Sequence, residues 1–175
     1  MLPVVVPADP SWPEVFAAER VLIETALGAA LVSGVHHVGS TSVPGMPAKP
    51  IIDMVAGVSD LSVAHGAAIA LLQFGYHRHP HRVDAVAFTK GVGQRHTHHL
   101  HLTVPGSELW RERLAFRDAL RADYALVQEY GELKARLLRE TGGRPYRAEG
   151  KREFVRRVLD GVGVELAEGL HEDER

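Results

Sequence analysis

The stretch Val35–Val58, VHHVGSTSVPGMPAKPIIDMVAGV, constrains what this chain can fold into more than any other. An apolar run enters a Gly-Ser-Thr-Ser turn, and a loop carrying three prolines then runs from Gly39 to Pro50. A hydrophobic strand follows with one carboxylate inside it, Asp53. Backbone this dense in Gly, Ser and Thr turns its N–H groups outward, and a concave array of N–H groups suits anionic oxygens. Lys49 adds a point charge at the same place. A carboxylate inside an apolar strand is costly unless a positive or hydrogen-bonding group faces it. Two readings follow: a phosphate cradle beside a metal-seeking carboxylate, or a tight strand-loop-strand connection with a capping aspartate.

The chain has 175 residues, enough for one domain with a real core. Lys and Arg number 20 against 22 Asp and Glu, a formal net charge of −2, which argues against a dedicated DNA binder. Without cysteine there are no disulfides, thiolate nucleophiles or thiolate zinc sites. No apolar run approaches membrane-spanning length, and MLPVVVPADPSW lacks the features of a secretory signal, so a cytoplasmic protein with no membrane partner is expected. Histidine is the unusual component: seven of the 11 lie between His77 and His101. Clustered imidazoles point to metal or phosphate chemistry, or to a site titrating near neutral pH.

Pro3–Pro7 reads as a short edge strand. Ser11 with Glu14 fits a capping box, Pro13 suits a first helical turn, and the apolar spacing predicts a helix up to Gly28. After a strand over Ile51–Val58, Ser59-Asp60 offers an N-cap for a helix to about Phe74, stopped by Gly75. Tyr76–His79 and Val83–Lys90 read as a hairpin turned around Pro80-His81-Arg82. A strand over Thr97–Val104 follows, with Thr97, His99 and His101 on one face. Ser107 then caps the first of three helices, the second over about Asp123–Glu140 and the third from about Ala148. The expectation is one α+β domain over residues 1–163, a small mixed sheet backed by helices. Its sheet-containing core runs to about residue 105 and a helical extension covers about 106–163. An acidic tail over 164–175 is expected to fray.

Several ordered motifs carry a resemblance. These are His37-Val38-Gly39-Ser40-Thr41, Val43-Pro44-Gly45, Lys49-Pro50-Ile51-Ile52-Asp53 and His98-His99-Leu100-His101. Phe116-Arg117-Asp118, Tyr130 with Leu133-Lys134, and Tyr146 followed by Lys151 complete the set. Over nearly its whole length the chain resembles the GrpB-like proteins, within the wider nucleotidyltransferase fold. The resemblance implies a Gly-Ser loop that holds nucleotide phosphates, then a strand with carboxylates at alternate positions, and a third carboxylate on a neighbouring strand. Together those carboxylates bind two divalent ions for in-line attack. Here Gly39-Ser40 is present and Asp53 takes the first acidic position, but Val55 stands at the second, and the third strand is the one carrying His99 and His101. One carboxylate with two imidazoles suits Zn²⁺ or Mn²⁺ better than Mg²⁺.

The resemblance leaves open an altered single-metal transferase or phosphohydrolase, a nucleotide- or CoA-type binding module, and a fold that has lost catalysis. Domains similar to this one are fused to dephospho-CoA kinases, which tilts the ligand toward coenzyme A metabolism by analogy. The candidate catalytic and metal residues are Asp53, His99 and His101, with His37 as a further metal ligand; a divalent ion (Zn, Mn or Mg) is the implied cofactor. Gly39, Ser40, Thr41, Lys49, Lys134 and Lys151 are the candidates for a small phosphate-bearing partner, a nucleotide or a CoA-like molecule. Lys49 has the alternative of a plain salt bridge to Asp53. Arg82, Lys90 and Arg95 ring the hairpin or merely guard a sheet edge. His77, His79 and His81 read as exposed hairpin residues.

Overall fold

The computed structural model describes residues 5–79, 83–93, 95–142 and 149–167. The expected turn at Pro80-His81-Arg82, the family tyrosine Tyr146, the start of the Pro3–Pro7 strand and the end of the acidic tail lie outside those residues.

The chain opens with α1 (Trp12–Leu27) and then lays down β1 (Leu31–Val38), β2 (Ile52–Val58), α2 (Val63–Gln73), β3 (Tyr76–His79), β4 (Ala85–Val92) and β5 (Arg95–Thr103). Three helices follow, α3 (Glu108–Ala122), α4 (Tyr124–Glu140) and α5 (Glu149–Gly161). The strands form one sheet in the order β1-β2-β5-β4-β3. β2 and β5 run parallel and every other pair is antiparallel, so the sheet is mixed, as the sequence suggests. Val6 contributes only an isolated bridge to Ala48 rather than an edge strand.

Helix starts are set by short polar side chains. Ser107 accepts from the Trp110 N–H at 3.2 Å and caps α3 as expected, and Asp123, at the expected start of the next helix, caps α4 by accepting from the Ala125 N–H at 2.8 Å. The capping box at Ser11 does not form. Ser11 is already helical in φ and ψ, and Asp9 accepts its N–H at 2.8 Å instead. Asp60 likewise accepts from the Ser62 N–H at 2.6 Å ahead of α2.

One face of the sheet is packed by α1 and α2. Ile52, Met54, Ala56 and Val58 of β2 join Leu100 and Leu102 of β5 and Phe88 of β4 under Ile23 and Leu27. Each fully buried Val, Leu, Ile, Met or Phe side chain contributes ~1.5–3 kcal/mol relative to exposure. On the opposite face, Leu109 of α3 covers Val38, Val55 and Ala85. A third cluster joins the two halves of the chain: Val43 and Met46 of the long loop bury among Leu120, Val127, Tyr130, Phe154 and Val158 of the helices. The loop is therefore held between sheet and helices. Beyond α5 the chain stays packed through residue 167, because Leu166 is buried and the Ala167 N–H donates to the buried Glu112 carboxylate at 2.8 Å. Among the described residues, no helix is long and apolar enough to cross a membrane.

Candidate functional site

The Gly39–Ser42 turn sits directly on Asp53. Gly39 has φ +69°, and a Cβ placed there would stand 2.4 Å from Asp53 Oδ2, so only glycine permits this approach. Residues Ser40–Ser42 form a single 3-10 turn, which the Ser42 hydroxyl ties back to the Gly39 carbonyl at 2.6 Å. Two helices brace the turn from outside. Lys134 Nζ of α4 donates to Ser40 Oγ at 3.2 Å and to the Pro47 carbonyl at 2.6 Å. From α3, Arg117 Nη1 donates to the His37 carbonyl at 3.2 Å and Arg121 Nε to the Ser42 carbonyl at 2.9 Å.

Thr41 and His37 point away from this turn, into the packed side. The Thr41 hydroxyl donates to the Ile51 carbonyl at 3.1 Å, so its oxygen is left to accept from His37 Nε2 at 2.9 Å. That bond fixes the proton of His37 on Nε2. Its ring stacks on Phe16 at 4.8 Å, and burial, opposed by Asp53 and aided by Arg121 and Arg117, holds its pKa down at about 4. His37 is neutral at pH 7 and shapes the loop.

The register of the sheet arranges the remaining candidates. Val38, Asp53, His99, Thr89 and His77 stand side by side across all five strands on the face that α3 partly covers. The next row on that face is His36, Val55, His101, Ala87 and His79. Asp53 and His99 are thus immediate neighbours, and His99 Nδ1 lies 3.0 Å from Asp53 Oδ1. His101 is one row further on, buried between Val55 and Ala87. The same register places His101 beside the position where the resemblance expects a second carboxylate.

Asp53, His99, His101 and His37 do not converge on one point. His101 stands two residues, ~7 Å, along the strand from His99, and His37 lies on the other face of the sheet. Asp53 and His99 spend an oxygen and a nitrogen on each other. Among the described residues, no group of three or more His, Asp or Glu side chains is placed to hold a metal ion. The residues present therefore do not fit a three-ligand metal site. Of the phosphate candidates, Gly39, Ser40 and Lys134 meet at the turn, Lys49 is half-buried on the segment leading to β2, and Lys151 is buried on α5, which packs against α3.

Two further residues belong to this neighbourhood. Arg121 is one helical turn beyond Arg117, a spacing that puts both on one face of α3 and is visible in the sequence. His96 is brought in by a bulge that no local pattern announces. The partners of β4 jump from His98 at Lys90 to His96 at Gly91, leaving Thr97 as the extra residue, whose hydroxyl donates to the Lys90 carbonyl at 3.1 Å. His96 Nδ1 ends 3.3 Å from His99 Nε2.

With this geometry in hand, the chain matches the family described as GrpB protein over residues 3–161. It is 39% identical over 162 residues to a UPF0157 protein of Pseudomonas aeruginosa, covering 89% of this chain and 65% of that relative. It is 35% identical over 130 residues to the UPF0157 protein YqkA of Bacillus subtilis, covering 72% of this chain and 37% of that one, so it spans less than two thirds of either relative's length. A shorter match, 43% identical over 81 residues, joins 43% of this chain to 19% of a dephospho-CoA kinase of Mycobacterium bovis. Among solved structures, GrpB from Enterococcus faecalis superposes with a TM-score of 0.81 at 27% identity, covering 90% of this chain and 96% of that one. The Cid1 poly(U) polymerase with bound Mg 3′-dATP superposes at 0.54 and 12% identity, covering 78% of this chain and 43% of Cid1, which is a likeness of fold alone. The chain belongs to the GrpB protein family and carries its mixed sheet and helices in a nucleotidyltransferase-like fold.

Proposed function

We propose that this protein binds a small phosphate-bearing ligand, a nucleotide or a CoA-like molecule, over the Gly39–Ser42 turn, and that it does not carry out two-metal nucleotidyl transfer. The observation that carries the reading is the contact of Lys134 Nζ with Ser40 Oγ on a turn held against Asp53. Ser40 accepts from a cation there, which polarises its own O–H toward a ligand oxygen. Val43 and Met46 anchor the turn in the helical core, so little ordering is left for the ligand to impose. Two-metal transfer needs several carboxylates to neutralise and align its ions, and the row through Asp53 holds one. Coenzyme A enters as a ligand class through the likeness to a dephospho-CoA kinase.

Asp53 lies against the same turn, so a bare phosphate meets a like charge there. Binding is therefore measured with and without Mn²⁺, Zn²⁺ or Mg²⁺, using thermal unfolding of the wild type, Ser40→Ala and Lys134→Met with ATP, UTP and coenzyme A. A ligand that binds the folded chain raises its midpoint by mass action. A rise in the wild type that is lost in Ser40→Ala supports the turn as the site. No rise with any ligand overturns the reading, and pyrophosphate release from ATP or UTP overturns its non-catalytic half.

A further inference from the structure

The open face of the sheet continues outward from Asp53 as a row of imidazoles. His99 Nδ1 meets Asp53, and His99 Nε2 lies 3.3 Å from His96 Nδ1, with the two rings edge to face at 5.4 Å. His79 follows, its ring 6.3 Å from that of His96 and its Nε2 2.6 Å from Thr89 Oγ1. This succession crosses from β2 through β5 to the edge strand β3, away from the Ser40 turn.

His96 owes its place to backbone built for it. The Thr97 bulge breaks the alternation of β5 and brings His96 beside His99. Gly91 opposite makes the bulge possible, since a Cβ there would stand 2.1 Å from the Arg95 carbonyl oxygen. Bulges beside sites re-aim single side chains. The surface so made is half-open and aromatic, and among the described residues of this succession the side chains beyond Asp53 are imidazoles and a hydroxyl. It suits a planar heterocycle, which stacks on imidazole faces and hydrogen-bonds to ring nitrogens and a hydroxyl at its edge.

We infer that His96, with His79 and Thr89, forms the subsite for the base of a base-bearing polyphosphate whose phosphates sit at the Ser40 turn. The inference rests on the phosphate-site reading above and adds the part of the ligand that the turn leaves unread. Nucleoside triphosphates and coenzyme A share this chemistry.

The test compares base-bearing ligands with their phosphate parts alone. Affinities of ATP, UTP and coenzyme A, and of tripolyphosphate and pyrophosphate, are measured by calorimetry under one divalent-ion condition on the wild type, His96→Ala, His79→Ala and Ser40→Ala. Stacking on one aromatic side chain corresponds to roughly 5- to 100-fold in affinity. The expected result is a loss of that order for ATP and UTP, or for coenzyme A, in His96→Ala, with the phosphate-only probes unchanged. Whichever ligand shows the loss identifies the source of the base. His79→Ala, on the exposed edge strand, gives the same reading if His96→Ala does not fold. Equal affinity of every base-bearing ligand for the wild type and the histidine variants overturns the subsite. If tripolyphosphate still binds in a Ser40-dependent way, the phosphate site stands without it; if nothing binds, both fall.

Discussion

His99 Nδ1 lies 3.0 Å from Asp53 Oδ1, across the parallel pair β2 and β5. With Asp53 ionised, the proton of that bond sits on Nδ1, and the pair forms a fixed carboxylate–imidazole unit at the foot of the Gly-Ser turn. It uses the lone acidic side chain of its row without gathering His37 or His101.

Metal affinity should follow this pairing. Titration with Zn²⁺ and Mn²⁺ is expected to give weak binding that Asp53→Ala and His99→Ala each reduce further. His101→Ala should leave it unchanged, because His101 is buried one row away beside Val55. Tight binding that requires His101 would show that the three ligands do converge in solution.

Gly39→Ala should be among the most damaging single-methyl changes in the chain. It combines a left-handed φ of +69° with a Cβ 2.4 Å from Asp53 Oδ2. Backbone strain of this kind costs ~1–3 kcal/mol, and the carboxylate must also move. Urea unfolding measures the cost. Gly45→Ala is the control, since Gly45 has a similar φ of +74° with open space around it. A Gly39 cost no greater than the Gly45 cost would contradict the close packing.

The pair between buried Glu19 and half-buried Lys90 offers a separate test of the other face. Lys90 Nζ donates to both oxygens of the Glu19 carboxylate, at 2.8 and 3.0 Å, with His98 Nε2 3.8 Å from the same carboxylate. Lys90→Met removes the cation facing a buried carboxylate and should destabilise the fold. Glu19→Gln combined with Lys90→Met should recover much of that loss in thermal or urea unfolding. A double variant as unstable as the single one would argue against an ion pair there.

Acid should weaken the fold through His37. Its folded pKa of about 4 lies below the ordinary value of 6.5, so the unfolded chain takes up a proton that the folded chain refuses. Above pH 6.5 neither state is protonated and no penalty exists. As pH falls from 6.5 toward 4 the penalty grows, and below 4 it is constant. His37→Gln keeps a donor for Thr41 and does not titrate. The difference in urea midpoint between wild type and His37→Gln should therefore move against the wild type across that window. A difference that is flat with pH would place a protonated His37 in the folded state.

Sequence alone determined what depends on neighbours along the chain. Ser107 as a cap marked the start of α3, and helical spacing placed α4 to within a residue. Gly39-Ser40 with Asp53 a dozen residues later, among the ordered motifs, pointed to the family, and Val55 marked the departure from its carboxylate pattern. Alternation on β5 correctly put His99 and His101 on one face. It could not show that parallel pairing sets His99 against Asp53 and His101 against Val55, because register is a relation between strands 46 residues apart. Nor could it separate His37 from the cleft, since the Thr41 hydroxyl that turns this ring inward is itself committed to Ile51 across the loop. The bulge at Thr97 follows from the close backbone approach at Gly91, and it alone brings His96 into the row. Composition supplied the imidazoles; only strand register and one extra residue decided which of them stand in the row beside Asp53.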